Sequence, residues 1–100
     1  MLEQNDLSAE VHNNLGLLYQ ERGQLDDAVK QFRRAITIDS KYGKAHNNLG
    51  VLFLKQAKLY EAANEFEWAK KLLPGHPDPR FNLAFTLESA VVNTLGTEEY

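Results

Sequence analysis

The stretch HNNLG decides the fold, because the chain contains it twice, at residues 12–16 and again at residues 46–50. The longer segments 9–42 and 43–76 align over the same spacing of 34 residues without a gap, and ten aligned positions are identical. Where the residue changes, apolar character is mostly kept, as with Tyr19 over Phe53. Self-similarity at a fixed period of this length indicates an array of stacked repeats.

The same register continues more weakly into residues 77–100. Asn82-Leu83-Ala84 replaces the Asn-Leu-Gly of the earlier copies, and this third copy stops ten residues short of a full period. Arrays of this kind normally end in a polar capping helix, which this segment lacks. We therefore expect a fragment of a longer array, folded as one domain over residues 1–100 with repeats 9–42 and 43–76 and a partial repeat 77–100.

The composition excludes several classes of protein. With 43% hydrophobic and 25% charged residues, the chain has enough apolar side chains for a core and is neither disordered nor fibrous. A net charge of -3 without a basic stripe argues against nucleic-acid binding. No apolar run is long enough to insert into a membrane, and residues 1–20 lack a secretory signal, so we expect a cytoplasmic location. The absence of cysteine excludes disulfides and thiolate metal sites.

Each copy has the apolar spacing of two helices separated by a turn. Val11, Leu15, Leu18 and Tyr19 recur at intervals of three and four, which is typical of one face of an amphipathic helix. Gly23 interrupts this pattern, and a second apolar series follows it. Because each helix pair exposes an apolar face that only another pair can cover, we predict an all-α solenoid of antiparallel helix pairs. Its helices are expected near residues 9–21, 25–38, 43–56, 59–72 and 78–90.

These residues resemble the tetratricopeptide repeat, whose pattern is W-x2-L-G-x2-Y…A-x3-F…P over 34 residues. Histidine or arginine stands where the pattern prefers tryptophan, and Ser40 stands where it prefers proline. The resemblance implies a right-handed superhelix that serves as a protein interaction scaffold and not as an enzyme. The matching residues are Leu15, Gly16, Tyr19, Ala28 and Phe32 in the first repeat, and Leu49, Gly50, Phe53, Ala62, Phe66 and Pro74 in the second.

The resemblance also implies a site, because the first helices of such arrays line a concave groove that holds an extended peptide. Asn14, Asn48 and Asn82 share one position there, although asparagine is a mediocre helix former. A carboxamide both donates and accepts hydrogen bonds, as a peptide unit does. This ladder is similar to the one in the repeat region of the O-linked N-acetylglucosamine transferase. The predicted peptide-binding residues are Asn14, Asn48, Asn82, Asn13, Asn47, Leu17, Val51, Leu54, Phe81 and Phe85.

Other readings of the groove remain open or are disfavoured. The asparagines could instead join helices or face water, as exposed polar residues usually do. Co-chaperones of the family clamp acidic chaperone tails with lysine, arginine and asparagine, but only Asn48 agrees here and Asp78 would repel a carboxylate. The positions that match that clamp are Asn13, Leu17, Asn48, Asp78 and Asn82.

No cofactor, metal or catalytic site is expected. His12 and His46 lie one repeat apart with Arg80 next in the series, so they do not form the three or four convergent ligands that zinc needs. We interpret them as histidines at the edge of the core. The sequence contains no phosphate-binding glycine loop, no plausible Ser-His-Asp set and no carboxylate pair in an apolar pocket.

The partner is therefore expected to be a protein or an extended peptide, and two alternatives concern assembly. Tyr60 and Trp68 lie eight residues apart on what should be an outer helix face, where exposed tryptophan indicates an interface. Phe81, Phe85 and Val91 have no evident cover at the C-terminal end. The chain could thus be a scaffold that forms homo-oligomers through both regions. It could also be the substrate-recruiting region of a larger enzyme.

Overall fold

The computed structural model describes the backbone of residues 8–98 and the side chains of residues 8–92. This part of the chain contains five helices and no strand, which confirms the predicted all-α class. The molecule is elongated, with principal dimensions of 59 × 30 × 18 Å, as expected when helix pairs stack along one axis. The helices are α1 (Ala9–Glu21), α2 (Leu25–Ile38), α3 (Gly43–Lys55), α4 (Leu59–Leu72) and α5 (Pro77–Glu98).

The turn within each complete pair depends on one residue in the left-handed backbone region. Gly23 has φ +76° after α1, and Ala57 has φ +61° at the equivalent place after α3. The next backbone N–H then bonds the carbonyl of Tyr19 at 2.9 Å in the first turn and that of Phe53 at 2.8 Å in the second. This arrangement satisfies carbonyls that the helix end would otherwise leave free, and it reverses the chain.

Helix α5 does not turn at the corresponding position, which is occupied by Val91. We predicted that this helix ends near residue 90, and that prediction is wrong, because α5 continues to Glu98. Valine is branched at Cβ and strongly disfavours a positive φ. Val91 is therefore poorly suited to the backbone conformation that Gly23 and Ala57 adopt after α1 and α3. Residues 77–98 therefore form one helix, and not the pair seen in the first two repeats.

The core is built on two equivalent contacts between a phenylalanine ring and a glycine. Phe32 and Phe66 are fully buried on α2 and α4. A Cβ added at Gly16 would lie 2.5 Å from Phe32 Cε1, and one added at Gly50 would lie 2.5 Å from Phe66 Cε1. The rings thus rest directly on the backbone of α1 and α3, so the two helices of each pair approach closely at these glycines. Ala84, the third equivalent, is exposed.

Stacking of one pair on the next is visible at a second set of equivalent residues. Leu52 of α3 and Thr86 of α5 are completely buried, whereas Leu18 of α1 is 55% exposed. Helices α3 and α5 each pack against a preceding helix pair, and the described residues contain no pair before α1. Leu18 follows the apolar periodicity that we identified but is not in the core of this structure.

The contact between Gly50 and Phe66 predicts that one added methyl group at position 50 lowers the stability of the fold. In Gly50→Ala the new Cβ would overlap the Phe66 ring, so α3 and α4 must separate or the ring must leave its rotamer. We expect the free energy of unfolding to fall by about 1–3 kcal/mol in urea denaturation, as is usual for overpacking. Gly75→Ala is the control, because a Cβ there meets nothing within 4 Å. Equal stability of the two variants would contradict the proposed packing.

Candidate functional site

The first helices α1, α3 and α5 lie side by side and line the concave side of the array. A cavity of about 320 Å³ opens between them. Its walls combine carboxamides, exposed charges and a few apolar groups, a mixture that suits a polar ligand with some apolar side chains. The lining residues are Glu10, Asn13, Asn14, Leu17, Tyr42, Lys44, Asn47, Asn48, Leu73, His76, Asp78 and Pro79.

The groove asparagines are bonded to one another across adjacent first helices. Asn48 Nδ2 donates to Asn13 Oδ1 at 2.9 Å, joining α3 to α1. Asn82 Nδ2 donates to Asn47 Oδ1 at 3.2 Å, joining α5 to α3. Asn13 is buried, so the bond from Asn48 also supplies a partner for a carbonyl group that has little access to water.

These bonds support part of the alternative reading, in which asparagines connect helices. Asn48 and Asn82 each use one N–H in this way and retain a second N–H and the Oδ1 acceptor outside these two bonds. Asn14, at the same place in the first repeat, is exposed on α1. The three ladder residues are thus not equivalent, since two of them also hold the array together and one faces solvent.

The predicted apolar residues of the site divide into two groups. Leu17, Phe81 and Phe85 are 39%, 69% and 50% exposed, so they are accessible to a ligand. Val51 and Leu54 pack partly against the main hydrophobic cluster. Of this set, only Leu17 lines the cavity itself.

Sequence reasoning missed the contribution of the loops to the groove. Tyr42 and His76 both line the cavity, and they occupy the same place in successive repeats, at the last residue before the next first helix. That shared position was the signal that could have identified them. Burial raises the pKa of the Tyr42 hydroxyl, and the negative charges of Glu10 and Asp39 raise it further. The hydroxyl therefore stays protonated and can donate a hydrogen bond.

His46 forms a separate polar cluster on the other side of α3. It is buried, and its Nδ1 donates to Glu65 Oε1 at 2.7 Å while its Nε2 donates to the Ser40 carbonyl at 3.0 Å. A carboxylate and a carbonyl can only accept, so this geometry requires a proton on both ring nitrogens. Burial lowers the pKa of His46, but the bond to Glu65, the bond to Ser40 and the charge of Glu65 together raise it above its usual value of 6.5.

The first repeat contains an uncharged version of the same cluster. His12 Nδ1 lies 2.7 Å from Gln31 Oε1, and both pairs are separated by 19 residues. Gln31 therefore stands where the second repeat has Glu65. The equal spacing of the His12–Gln31 and His46–Glu65 pairs can be read from the sequence, and it is the signal that could have predicted these hydrogen bonds. These contacts agree with histidines at the edge of the core.

Trp68 covers this cluster on the outer face. Its ring stacks on His46 with centroids 6.1 Å apart, and Lys71 Nζ lies 5.4 Å from the ring centroid. Trp68 is 48% exposed and borders a second cavity of about 280 Å³, while Tyr60 is 87% exposed.

Comparison with known proteins identifies the repeat type. A tetratricopeptide repeat model matches residues 1–30, and a TPR repeat model matches residues 19–57. Tetratricopeptide repeats are therefore detected in this chain. Together with five helices arranged in stacked pairs, these matches agree with the repeat pattern that the sequence shows.

Solved structures of other proteins share the fold. Two crystal structures of MamA are 19% identical over 93% of the chain, each with a TM-score of 0.82. The second TPR of Spaghetti (RPAP3), bound to the HSP90 peptide SRMEEVD, is also 19% identical over 93% of the chain, with a TM-score of 0.79. At this identity the likeness establishes the tetratricopeptide-type solenoid fold. The chain spans 51% and 54% of the two MamA chains and 84% of the third.

Neither a membrane-spanning helix nor a metal-binding cluster is present in the described part of the chain. No helix there has the length and apolarity needed to cross a bilayer. No group of three or more histidine, aspartate or glutamate side chains among those residues is placed to hold a metal ion.

The His46 cluster predicts a pH dependence of stability. Because the folded pKa of His46 lies above the unfolded value near 6.5, its contribution is complete below about pH 6.5 and is lost as pH rises through the folded pKa. We therefore expect the free energy of unfolding of the native chain to fall over that interval. In Glu65→Gln, which copies the His12 and Gln31 pair, this decline should become smaller.

Glu67→Gln is the control for this prediction, because Glu67 is a half-exposed carboxylate on the same helix that pairs with Lys70. NMR titration of the His46 ring should give a lower pKa in Glu65→Gln and an unchanged one in Glu67→Gln. A His46 pKa that is insensitive to Glu65→Gln would show that the pair does not hold the proton.

Proposed function

We propose that the chain is a protein interaction module that binds an extended peptide in the groove of α1, α3 and α5, and that it is not an enzyme. The observation that carries this proposal is the cavity of about 320 Å³, where three first helices line one open space and α1 and α3 present four carboxamides to it. A peptide backbone has one donor and one acceptor per residue, and a carboxamide can bond to both because it carries N–H donors and a carbonyl acceptor. Such contacts favour extended chains without selecting their sequence.

The bound partner is expected to make both polar and apolar contacts. The spare Oδ1 and N–H groups of Asn48 and Asn82, together with Asn14, would bind the main chain, as in the asparagine ladder of the O-linked N-acetylglucosamine transferase. Leu17, and beyond the cavity Phe81 and Phe85, would contact apolar side chains of the ligand. Tyr42 adds a hydroxyl donor at the edge of the groove.

The related structure with a bound HSP90 peptide supports peptide binding but not the same peptide chemistry. That ligand, SRMEEVD, is acidic at its C-terminal end. In this chain Asn13 is buried and already bonded to Asn48, and the exposed Asp78 carboxylate lines the cavity. Since like charges repel, an acidic chaperone tail is disfavoured, and a ligand of mixed charge with apolar side chains fits better.

The test is a selection of randomised peptides on the intact chain, repeated on groove variants. Asn14→Ala is the most informative single change, because Asn14 is exposed and removing it breaks neither inter-helix bond. We expect enriched peptides to bind this variant roughly 2- to 10-fold more weakly, the effect of one hydrogen bond. Fluorescence polarisation with labelled peptides measures the change.

The controls separate binding from folding. Asn64→Ala removes an exposed carboxamide from α4 on the outer face and should leave affinity unchanged. Asn48→Ala leaves buried Asn13 without its partner and should itself cost about 1–3 kcal/mol of stability, so its binding is interpretable only if circular dichroism shows it folded. Absence of enriched peptides, or equal binding by Asn14→Ala and Asn64→Ala, would contradict groove binding.

Self-association is a second candidate function, favoured by the exposed apolar side chains of α5. Leu87, Val91 and Val92 are each at least half exposed there. The equivalent residues of the first two repeats, Tyr19 and Phe53, pack in the main hydrophobic cluster, whereas no second helix follows α5 within the described residues. Such uncovered faces are typical of contacts between copies or with another protein. Tyr60 on α4 offers a further exposed aromatic side chain.

Sedimentation velocity tests self-association directly. If the chain oligomerises through these surfaces, Leu87→Ser should shift the particle toward the monomer, and Tyr60→Ser should do so if the outer face takes part. Both positions are at least half exposed, so we expect the variants to fold. A native chain that remains monomeric at high micromolar concentration would rule out this function. A role in recruiting substrates for a larger enzyme would use the same groove.

A further inference from the structure

We propose that the groove selects its peptide by charge order, with an acidic ligand side chain at the middle repeat and basic ones on either side. This inference rests on the proposed peptide binding and specifies the partner for that same groove. It comes from three charged residues, Glu10, Lys44 and Asp78, which occupy one repeat position on α1, α3 and α5. All three line the same cavity and are exposed.

The charges of this row are available to a ligand. Within the described residues, no ion pair joins Lys44 to Glu10 or to Asp78, and the pairs His46–Glu65 and Lys70–Glu67 involve other side chains. The same cavity is also lined by the uncharged carboxamides of Asn13, Asn47 and Asn48. A ligand therefore meets the sequence acid, base, acid on passing from α1 to α5, and each exposed charge can pair with an opposite one.

Lys44 is the residue least explained by the fold. It lies in the first turn of α3, where the partial positive charge of the helix N-terminus disfavours a cation. Glu10 and Asp78, in the first turns of α1 and α5, carry the sign that a helix N-terminus prefers. A cation placed against the helix dipole, without a protein partner, points to an anionic group supplied by the ligand.

A second position repeats the first two signs of this order on α1 and α3, whereas its equivalent on α5 is the uncharged Ser89. Glu21 ends α1 and Lys55 ends α3, and both are exposed. Thus the first repeat is acidic and the second is basic at both ends of their groove-facing helices. Exposed charges contribute little individually, but a row of them changes which partners are accepted.

The spacing of the row defines a motif. Neighbouring packed helices lie about 8–10 Å apart. An extended polyproline-type chain rises about 3.1 Å per residue, with three residues per turn, so side chains three apart point the same way about 9 Å from one another. The ligand favoured by this row is basic-x-x-acidic-x-x-basic, with uncharged residues between.

The experiment is the peptide selection repeated on the variant Glu10→Lys, Lys44→Glu, Asp78→Lys, in which the row is inverted. On the intact chain we expect enrichment of basic-x-x-acidic-x-x-basic, and on the variant the inverse, acidic-x-x-basic-x-x-acidic. A peptide enriched on the intact chain should bind the inverted variant roughly ten-fold more weakly at low salt, with a smaller difference at high salt.

The matched control is Asp26→Lys, Lys30→Glu, Glu61→Lys, which changes the same number of charges with the same net result on exposed positions of α2 and α4. It should retain the peptides and the affinity of the intact chain. Circular dichroism of both variants confirms that they fold.

The possible outcomes distinguish a failure of charge selection from a failure of groove binding. Peptides that bind the intact chain more tightly than Asn14→Ala, yet show no charge order or bind both charge variants equally, would overturn the charge selection and leave groove binding intact. If no peptides enrich on the intact chain, groove binding fails, and the charge selection fails with it. Inversion of the motif by the groove variant alone supports both.

Discussion

Everything in this array depends on the contact between a phenylalanine ring and the backbone of a glycine. Phe32 on Gly16 and Phe66 on Gly50 set how closely the two helices of a pair approach. That distance leaves the opposite sides of α1 and α3 free to line a common groove. The charges, carboxamides and loop residues of the groove are therefore positioned by contacts on the far side of the same helices. One face of each of these helices makes the packing contact, and the opposite face forms part of the candidate binding surface.

The groove and the outer face differ in how their polar groups are used. On the outer side of α3, His46 has both ring nitrogens bonded, to Glu65 and to the Ser40 carbonyl, and Trp68 stacks on the ring. Nothing of that histidine is left for a ligand. In the groove, by contrast, Asn48 and Asn82 use one N–H each and keep other groups free. Spare hydrogen-bonding capacity, rather than polarity itself, distinguishes a candidate binding surface from a structural one.

The fold could be predicted from the sequence because the period, the helical spacing and the glycine and alanine positions all indicate the same structure. The predicted end of α5 near residue 90 was wrong, because it depended on one backbone angle. The 34-residue register continues to Val91, but the turn found at Gly23 and Ala57 does not form there. The bond from Asn48 to Asn13 was also beyond the sequence, because it spans 35 residues and follows from a one-residue offset between neighbouring helices. The His46 and Glu65 pair could have been found, since His12 and Gln31 repeat its spacing.

That one-residue offset gives the groove a direction. Asn48 and Asn82 both direct an N–H group toward the preceding first helix, so the dipoles of these two N–H groups point the same way along the array. The two directions along this surface are thus not equivalent, as is also true of a polypeptide backbone. An extended chain laid along it in one orientation meets these dipoles differently from the same chain laid in reverse. For the proposed peptide ligand, the two N-to-C orientations along the groove would therefore differ in their hydrogen bonding.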